Sequence, residues 1–491
     1  MKLTFILPVL LFLSAFLLRI TLLDTEFIRT MDSVEYINVA DNIASGQGFI
    51  KTLKVYLIDD KPVIGSGSLL RPLFVPLIYA VLLAINKNYY FLQFFNLFLS
   101  AVNVILFYFL AKYFLKRNLA FVAAIIIAFN PNLIIDSRFI ISEQIFYCLV
   151  LSFFLFYFRL IDAWGKYALL GAIAALAYLT RIEGVLLLVT LILTKFYKPF
   201  YLGITILFFF LLSLPNFFLN FQATGNPFYS FYSFHLSVLN YRQIQENFYS
   251  FLPAPIDFIK DNIFAIMQRI ETINIGNITT LIRFRFLGFL SLLLILPIFK
   301  KKISGINTLT PIILFSIFFY LTGTVIWSVA FQPERHLALL YMLLIIILFV
   351  IAERNVSIKL LYIISIITLC IYFTYDVHEI WWVRANSAFF QQKNDQSFAW
   401  IRQHTNKNDI IATRDPWTMY VFTHKPSIIL PYNFPLLVHE EKEFKKYIQI
   451  YNVKYIYVNE PVLYEYLNKK GYTKVYNSTI EKIFCVSYCH P

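Results

Sequence analysis

Long apolar runs alternate with short polar loops along most of the chain, up to about residue 377. Eleven of these runs are long enough to cross, or nearly to cross, a bilayer core that is about 30 Å thick. The predicted spans are 4–23, 89–111, 119–136, 143–160, 167–180, 182–196, 201–219, 283–299, 307–328, 336–352 and 357–374. One further apolar segment, 69–85, contains two prolines and is predicted to lie on the outer surface or to re-enter. The pattern therefore predicts an all-α polytopic membrane domain over 1–376.

The pattern changes in the tail, where short apolar strands alternate with amphipathic helices. Helices are predicted at 397–404 and 440–451, and strands at 409–413, 427–430 and 455–458. This alternation indicates a small α/β domain over 377–491, and a lid or an acceptor-docking module is favoured over an independent enzyme. Cys485 and Cys489 lie in it with three residues between them, and this spacing leaves open whether they form a disulfide.

The composition of the chain indicates that its apolar surface lies in a lipid bilayer. Hydrophobic residues make up 59% of the chain, charged residues only 14%, and there are 53 phenylalanines, more apolar surface than a soluble domain can bury. The net charge of +14 is spread in ones, twos and threes between the apolar spans, so it does not indicate nucleic-acid binding. The first span is interpreted as retained, because Arg19 interrupts its end and no small-residue cleavage site follows.

The basic residues predict the orientation of the spans. If the 69–85 segment does not cross, the positive-inside rule assigns one set of short basic loops to the cytoplasm. This set is Lys2, Lys112, Lys116, Arg117, Arg159, Lys166, Lys195, Lys198, Lys300, Lys301, Lys302, Arg354 and Lys359. The loops at 24–88, 131–142, 220–282 and 329–335 and the tail then lie outside. We expect a multi-pass protein of the bacterial inner (plasma) membrane whose polar chemistry faces the extracytoplasmic side.

Two acids on separate outer loops are candidates for catalysis. Asp32 precedes an amphipathic stretch with apolar residues at helical spacing, so it is either the N-cap of an interfacial helix or a base for an acceptor hydroxyl. Glu143 opens the fourth span after Ser142, which is a candidate N-cap, and the helix dipole alone would favour an acid there. Charges at the membrane edge are functional candidates by default. Glu35 and Tyr36 follow Asp32 and are candidates for a substrate pocket.

Cations on the same side suit an anionic ligand. Arg71, Arg138, Arg181 and Arg335 lie in or beside the outer loops, and His336 follows the last of these. Snorkelling to lipid headgroups is the alternative for each, although Glu183 and Glu334 adjoin two of them. Guanidinium groups bind phosphodiesters bidentately, so a lipid phosphate at headgroup depth is the expected ligand. No paired CxxC and no HExxH motif supports a metal.

Several segments together resemble the GT-C fold glycosyltransferases of the protein O-mannosyltransferase and aminoarabinose-transferase type. The matching segments are 32–36, 45–49, 71–76, 131–143, 171–184 and 334–336, which span roughly residues 1–350. The tail from Trp400 to Thr413 also resembles the extracytoplasmic α/β tail of bacterial relatives.

The resemblance implies an inverting transfer of a sugar from a polyprenyl-phosphate donor to a glycan, lipid or protein acceptor. It implies that Asp32 activates the acceptor, that Glu143 is the second acid and that Arg71 and Arg335 hold the donor phosphate. The family often has two adjacent acids in the first loop, whereas Ser33 follows Asp32 in this sequence. No metal site is therefore carried over, and a divalent metal is left open as a cofactor.

Two other functions fit a chain of this kind. A secondary transporter, or a flippase of a glycan or lipid intermediate, would have as many spans, but transporters place their site near the midplane and usually show internal repeats, and we find no convincing repeat. A noncatalytic scaffold would tolerate replacement of Asp32, Glu143 and the arginines.

Overall fold

A computed structural model describes most of the chain. The described residues are 2–28, 31–54, 63–65, 72–224, 226–228, 306–326, 333–355, 357–392, 395–430, 441–478 and 481–486. The predicted 283–299 span and most of the predicted 220–282 loop lie outside these residues. So do Arg71 and Cys489.

Helices make up the membrane domain because its sequence consists of apolar runs whose backbone polar groups must be satisfied within each run. They are α1 (Lys2–Ile20), α2 (Met31–Ala44), α3 (Phe74–Ile85), α4 (Tyr89–Phe114), α5 (Arg117–Ala128), α6 (Pro131–Ser137), α7 (Glu143–Arg159), α8 (Trp164–Tyr178), α9 (Val185–Lys195), α10 (Pro199–Thr224), α11 (Thr310–Ile326), α12 (Pro333–Asn355) and α13 (Ile358–Gln392). The 3₁₀ turn Ile182–Gly184 links α8 to α9, and a second, Ile306–Leu309, precedes α11.

Four of the described helices, α4, α10, α12 and α13, are long and apolar enough to cross a membrane. α5 and α6 qualify only as one span, which is bent by 55°. The bend has a local cause, since Pro131 begins α6 and the Asn130 side chain accepts a hydrogen bond from the amide of Leu133 at 3.2 Å. α7, α8 and α9 have 17, 15 and 11 residues, fewer than the roughly 20 that a full crossing takes. The count of eleven spans is thus not confirmed.

α3 occupies the apolar segment whose path the sequence leaves open. It has 12 residues, which gives a length of about 18 Å, well short of a bilayer core of about 30 Å. Its first amide, that of Phe74, donates to the carbonyl of Leu179 at 3.0 Å, just beyond the end of α8. α3 therefore begins at the end of the bundle where α8 ends and α7 begins, which we call the site end.

The opposite end of the bundle, which we call the far end, collects the cations. Lys116 lies 3.8 Å from Glu353, which joins the α4–α5 turn to the end of α12. Asp162, in the turn between α7 and α8, pairs with Lys166 at 2.8 Å and with Lys198. The basic residues that the positive-inside rule groups together in the α4–α5, α7–α8 and α9–α10 turns are thus at one end.

The tail folds as a six-stranded sheet flanked by helices. Its elements are α14 (Asp395–His404), β2 (Ile410–Thr413), α15 (Pro416–Thr423), β3 (Ser427–Ile429), α16 (Glu441–Tyr451), β4 (Val453–Val458), α17 (Pro461–Lys469), β5 (Thr473–Asn477) and β6 (Lys482–Cys485). The sixth strand, β1 (Leu53–Lys54), comes from an earlier loop. The strand order is β1-β3-β2-β4-β6-β5; the first four strands run parallel, and β6 is antiparallel to β4 and to β5. Each predicted tail element is present to within about two residues. Cys485 is disulfide-bonded, and Cys148 and Cys370 are free thiols.

The edge strand β1 (Leu53–Lys54) does not come from the tail but from the loop between α2 and α3. It pairs with β3 in the register Leu53 to Ser427. α13 runs unbroken through residue 377, where the sequence predicts the domain boundary. The tail domain is therefore joined to the membrane domain by a continuous helix and by a shared sheet.

Candidate active site

A cluster of three buried charged residues lies at the site end. Glu143 is the first residue of α7, Arg181 follows α8, and Glu183 lies in the 3₁₀ turn. Nη1 of Arg181 donates to Oε1 of Glu143 at 2.7 Å, and Nη2 lies 3.4 Å from Oε1 of Glu183. The side chains of Glu143, Arg181 and Glu183 are 2%, 6% and 0% exposed, so the cluster is closed off from bulk water.

Ser142 is part of this cluster and does not cap α7. The sequence predicts that Ser142 caps α7, but its backbone is already helical and its side chain makes no capping hydrogen bond. Its hydroxyl instead accepts from Nη1 of Arg181 at 3.2 Å and donates to Oε2 of Glu143 at 3.4 Å. The capping prediction is wrong, because the buried ion pair takes the hydroxyl.

One carboxylate of the cluster is only partly satisfied. Glu143 and Glu183 both contact the Arg181 guanidinium, and Oε2 of Glu183 is buried and has no hydrogen-bond partner within the described ranges. Buried carboxylates are normally paired, so an unused oxygen at this depth is a site for a donor group. The sequence identifies Glu183 only as the acid beside Arg181, although its place in the break between two apolar runs is a signal that could have singled it out.

A close backbone contact fixes the 3₁₀ turn that bears Glu183. A Cβ at Gly184 would lie 2.2 Å from the carbonyl carbon of Ala177 and from the amide nitrogen of Tyr178. Only glycine fits at this position, because the atoms in the way belong to the backbone of α8. The turn therefore packs directly on the end of α8 and directs Arg181 and Glu183 toward α7.

α2 and α3 extend over the same end of the bundle. The Tyr36 ring of α2 meets the Tyr79 ring of α3 edge-on, with centroids 6.3 Å apart. The Tyr79 hydroxyl donates to the carbonyl of Ile141 at 2.8 Å, two residues before Glu143, and lies within electrostatic range of Glu143 itself. Asn96 of α4 holds the same hydroxyl from the other side at 3.0 Å. Nothing in the sequence singles out Tyr79.

Asp32 lies on α2 one turn before Tyr36. Residues at i and i+4 share a helix face, so Asp32 and Tyr36 are on the same side of α2. α2 begins at Met31, which puts Asp32 inside the first turn; the prediction that it is the N-cap is therefore wrong. A carboxylate at this position is favoured by the helix dipole. Glu35 is buried, with 6% of its surface exposed.

Arg138, between α6 and α7, is a buried cation. It follows α6, is 8% exposed, and has its guanidinium 4.5 Å from the centre of the Phe139 ring. Its Nε and Nη1 have no hydrogen-bond partner within the described part of the chain. Burial lowers the pKa of Arg138, although the charges of Glu26 and Glu379 act to raise it. Burial raises the pKa of Glu26.

Three further predicted site residues, Arg71, Arg335 and His336, lie at or beyond the limits of the described residues. Arg335 and His336 lie in the first turn of α12, but their side chains are outside the described residues. Arg71 is outside them altogether. Among the described residues, no group of three or more histidine, cysteine, aspartate or glutamate side chains is arranged to hold a metal ion.

Comparison with known proteins identifies the fold. The chain superposes on the crystal structure of ArnT from Cupriavidus metallidurans bound to undecaprenyl phosphate, with a TM-score of 0.62 over 97% of both chains and 10% identity. It also superposes on the oligosaccharyltransferase AglB from Archaeoglobus fulgidus, in complex with an inhibitory peptide and a dolichol-phosphate. That match has a TM-score of 0.56 and 12% identity, and it covers 92% of this chain and 69% of AglB.

The chain has the GT-C fold. ArnT and AglB are both membrane GT-C glycosyltransferases. No protein-family model matches the sequence, and no curated protein matches it. The GT-C resemblance that the sequence indicates is thus confirmed by the three-dimensional structure, at 10% and 12% identity to ArnT and AglB.

Proposed function

We propose that the chain is an inverting glycosyltransferase that uses a polyprenyl-phosphate sugar as donor. The acceptor is a glycan, a lipid or a protein of the cell envelope. The observation that carries the proposal is the buried cluster of Glu143, Arg181 and Glu183 at one end of a GT-C bundle, with α2 packed over that end. The ArnT and AglB structures hold undecaprenyl phosphate and dolichol-phosphate, which supports a lipid phosphate as the donor carrier.

In the proposed reaction, Asp32 takes the proton of the acceptor hydroxyl as its oxygen attacks C1 of the sugar. The bond from C1 to the phosphate oxygen breaks, and the polyprenyl phosphate leaves with the electron pair. A phosphate leaving group needs charge neutralisation more than protonation, so arginines suffice at that position. We assign this role to Arg138, Arg71 and Arg335, and assign Glu35, Tyr36 and His336 to the substrate pocket.

We assign Glu143 and Arg181 different tasks from those of the phosphate-binding arginines. The guanidinium of Arg181 is shared between Glu143 and Glu183, so its charge is already compensated. In this arrangement Arg181 holds Glu143 in one orientation, as the second acid beside the reacting sugar. Any contact of Arg181 with the donor phosphate is secondary to that pairing.

The orientation of the protein follows from the cations of the far end. Lysines and arginines near the ends of membrane helices favour the cytoplasmic side. The far end is therefore cytoplasmic in this proposal, and the site end, with the tail domain, is extracytoplasmic. No metal is assigned to the reaction.

The activity test uses purified protein, a radiolabelled polyprenyl-phosphate sugar and a membrane extract as the source of acceptor. The wild-type protein should move label to an acceptor, and Asp32→Asn should abolish transfer. The matched control is Asp24→Asn, an exposed acid of the same loop whose positive φ of 63° asparagine also tolerates. Normal transfer by Asp32→Asn would show that Asp32 is not the base and serves only in the first turn of α2.

Donor binding is tested without turnover. Polyprenyl phosphate should raise the melting temperature of the wild-type protein, and Arg138→Met should lose this protection. Arg159→Met is the control, because Arg159 lies at the far end, where it donates to the carbonyl of Phe109. A labelled donor that crosses reconstituted vesicles with its sugar–phosphate bond intact would instead indicate a transporter.

A further inference from the structure

The tail domain is joined to α2 through one aspartate. Asp41 lies in the last turn of α2, and its Oδ2 accepts a hydrogen bond from the Tyr89 hydroxyl at 2.5 Å. The same oxygen accepts from the Tyr420 hydroxyl at 3.0 Å. Tyr89 begins the membrane helix α4, and Tyr420 lies in α15 of the tail domain. Three separate elements thus meet at a single carboxylate oxygen.

A histidine completes this junction, and the hydrogen bonds indicate that its Nδ1 carries a hydrogen. Nδ1 of His424 lies 3.1 Å from the Tyr89 hydroxyl oxygen. Because Tyr89 has one hydroxyl proton and donates it to Asp41, Nδ1 of His424 must be the donor to Tyr89. His424 follows α15 in the left-handed conformation, with φ of 54°, which turns the chain at that point.

A second set of hydrogen bonds reinforces the junction on the same face of α2. Asn38 lies one turn before Asp41; its Oδ1 accepts from the amide of Thr52 at 2.9 Å, and its Nδ2 donates to the Thr52 hydroxyl at 2.7 Å. The carbonyl of Thr52 in turn accepts from the amide of Ser427 at 3.0 Å, beside the pairing of β1 with β3. α2 is therefore held to the tail sheet along two successive turns.

We propose that Tyr420 of the tail domain, together with Tyr89, is a positioning residue for α2. The two phenols fix the end of α2 relative to α4, and a rigid helix of 14 residues carries that constraint to Asp32 and Tyr36 at its other end. This inference rests on the proposed function, because it assigns the tail domain a part in placing the base. Its structural half, that the two phenols hold α2, is independent of any activity.

The substitutions Tyr420→Phe and Tyr89→Phe remove one hydroxyl each and keep the ring. The control is Tyr457→Phe, since Tyr457 also donates to a carboxylate of the tail domain, Glu481 at 2.7 Å, but not at α2. Asp41→Ala removes the shared acceptor, whereas Asp41→Asn keeps an oxygen that can accept from both phenols. Asp41→Asn should therefore rescue most of what Asp41→Ala loses.

Two readouts are compared, hydrogen exchange of the amides of 31–44 and steady-state transfer. We expect Tyr420→Phe and Tyr89→Phe to speed exchange in α2 and to lower kcat by about tenfold, with the KM for donor unchanged. Tyr457→Phe should change neither. Unchanged exchange in α2 would overturn the proposal, and so would faster exchange with wild-type kcat. A wild-type protein that transfers no sugar would refute the proposed function, while the exchange data would still decide whether the phenols hold α2.

Discussion

Arg181 donates to Glu143 across 2.7 Å between two helix ends that are 38 residues apart in sequence. The same guanidinium lies 3.4 Å from Glu183, so Arg181 contacts two acids in the interior. An arrangement of this kind is costly to build, because both acids and the cation lose their hydration. Its place at the end of a GT-C bundle, under α2 and α3, is what distinguishes it from an ordinary packing contact.

Arg181→Met should destabilise the protein strongly. The substitution removes the guanidinium that both buried carboxylates contact, and loss of one partner from a buried ion pair costs about 3–5 kcal/mol in the free energy of unfolding. Unfolding in detergent, followed by circular dichroism, measures the loss. The double variant Arg181→Met/Glu183→Gln also removes the charge of Glu183 and should recover part of that stability. A double variant no more stable than Arg181→Met would show that the charge of Glu183 does not depend on Arg181 for its compensation.

Much of this architecture is predictable from sequence, for physical reasons that differ between elements. Apolar runs identify the helices of the bundle and alternating strands identify the tail sheet, because both patterns follow from burial over consecutive residues. The number of spans is not predictable in the same way. α7, α8 and α9 are apolar between their charged ends, yet each is shorter than a full crossing.

The candidate site is less accessible to sequence reasoning, because its contacts join distant segments. Glu143 and Arg181 are each recognisable as candidates, but nothing local indicates that they bind each other. The pairing of β1 with β3 is still harder to predict, since two residues of a polar loop carry no strand signal. Ser142 and Asp32 are predicted as caps because a cap is a local interaction; the hydroxyl of Ser142 is taken instead by a buried pair, and α2 begins one residue before Asp32.

Gly184→Ala should disturb the site through the backbone alone. The added methyl would lie 2.2 Å from backbone atoms of Ala177 and Tyr178, so the 3₁₀ turn must move away from α8. We expect a loss of about 1–3 kcal/mol in the free energy of unfolding, as for other overpacked positions. Gly165→Ala is the matched control, because a Cβ there meets nothing within 4 Å. Equal melting temperatures for the two variants would show that the turn is not tightly packed.

Asp41→Asn should change the pH dependence of stability. Burial raises the pKa of Asp41 above its usual value of 3.8, although the hydrogen bonds from Tyr89 and Tyr420 oppose the shift. The stability linked to a raised carboxyl pKa is fully present below the unfolded value and is lost as the pH rises through the folded value. Asparagine has no such loss. The unfolding free energy of Asp41→Asn minus that of the wild type should therefore increase from about pH 4 upward and then level off. A difference that is constant or that falls over this range would contradict the raised pKa.

The orientation can be tested with single cysteines at the two ends of the bundle. Ser45, just after α2, is exposed at the site end, and the Lys116 side chain is 72% exposed at the far end. The background carries Cys148→Ala and Cys370→Ala, and the cells have lost their outer membrane but keep an intact inner membrane. Under these conditions Ser45→Cys should react with a membrane-impermeant maleimide added from outside. Lys116→Cys should react only after the inner membrane is permeabilised. The reverse pattern would put the acids of the site end in the cytoplasm. That result would contradict the orientation predicted from the cations of the far end.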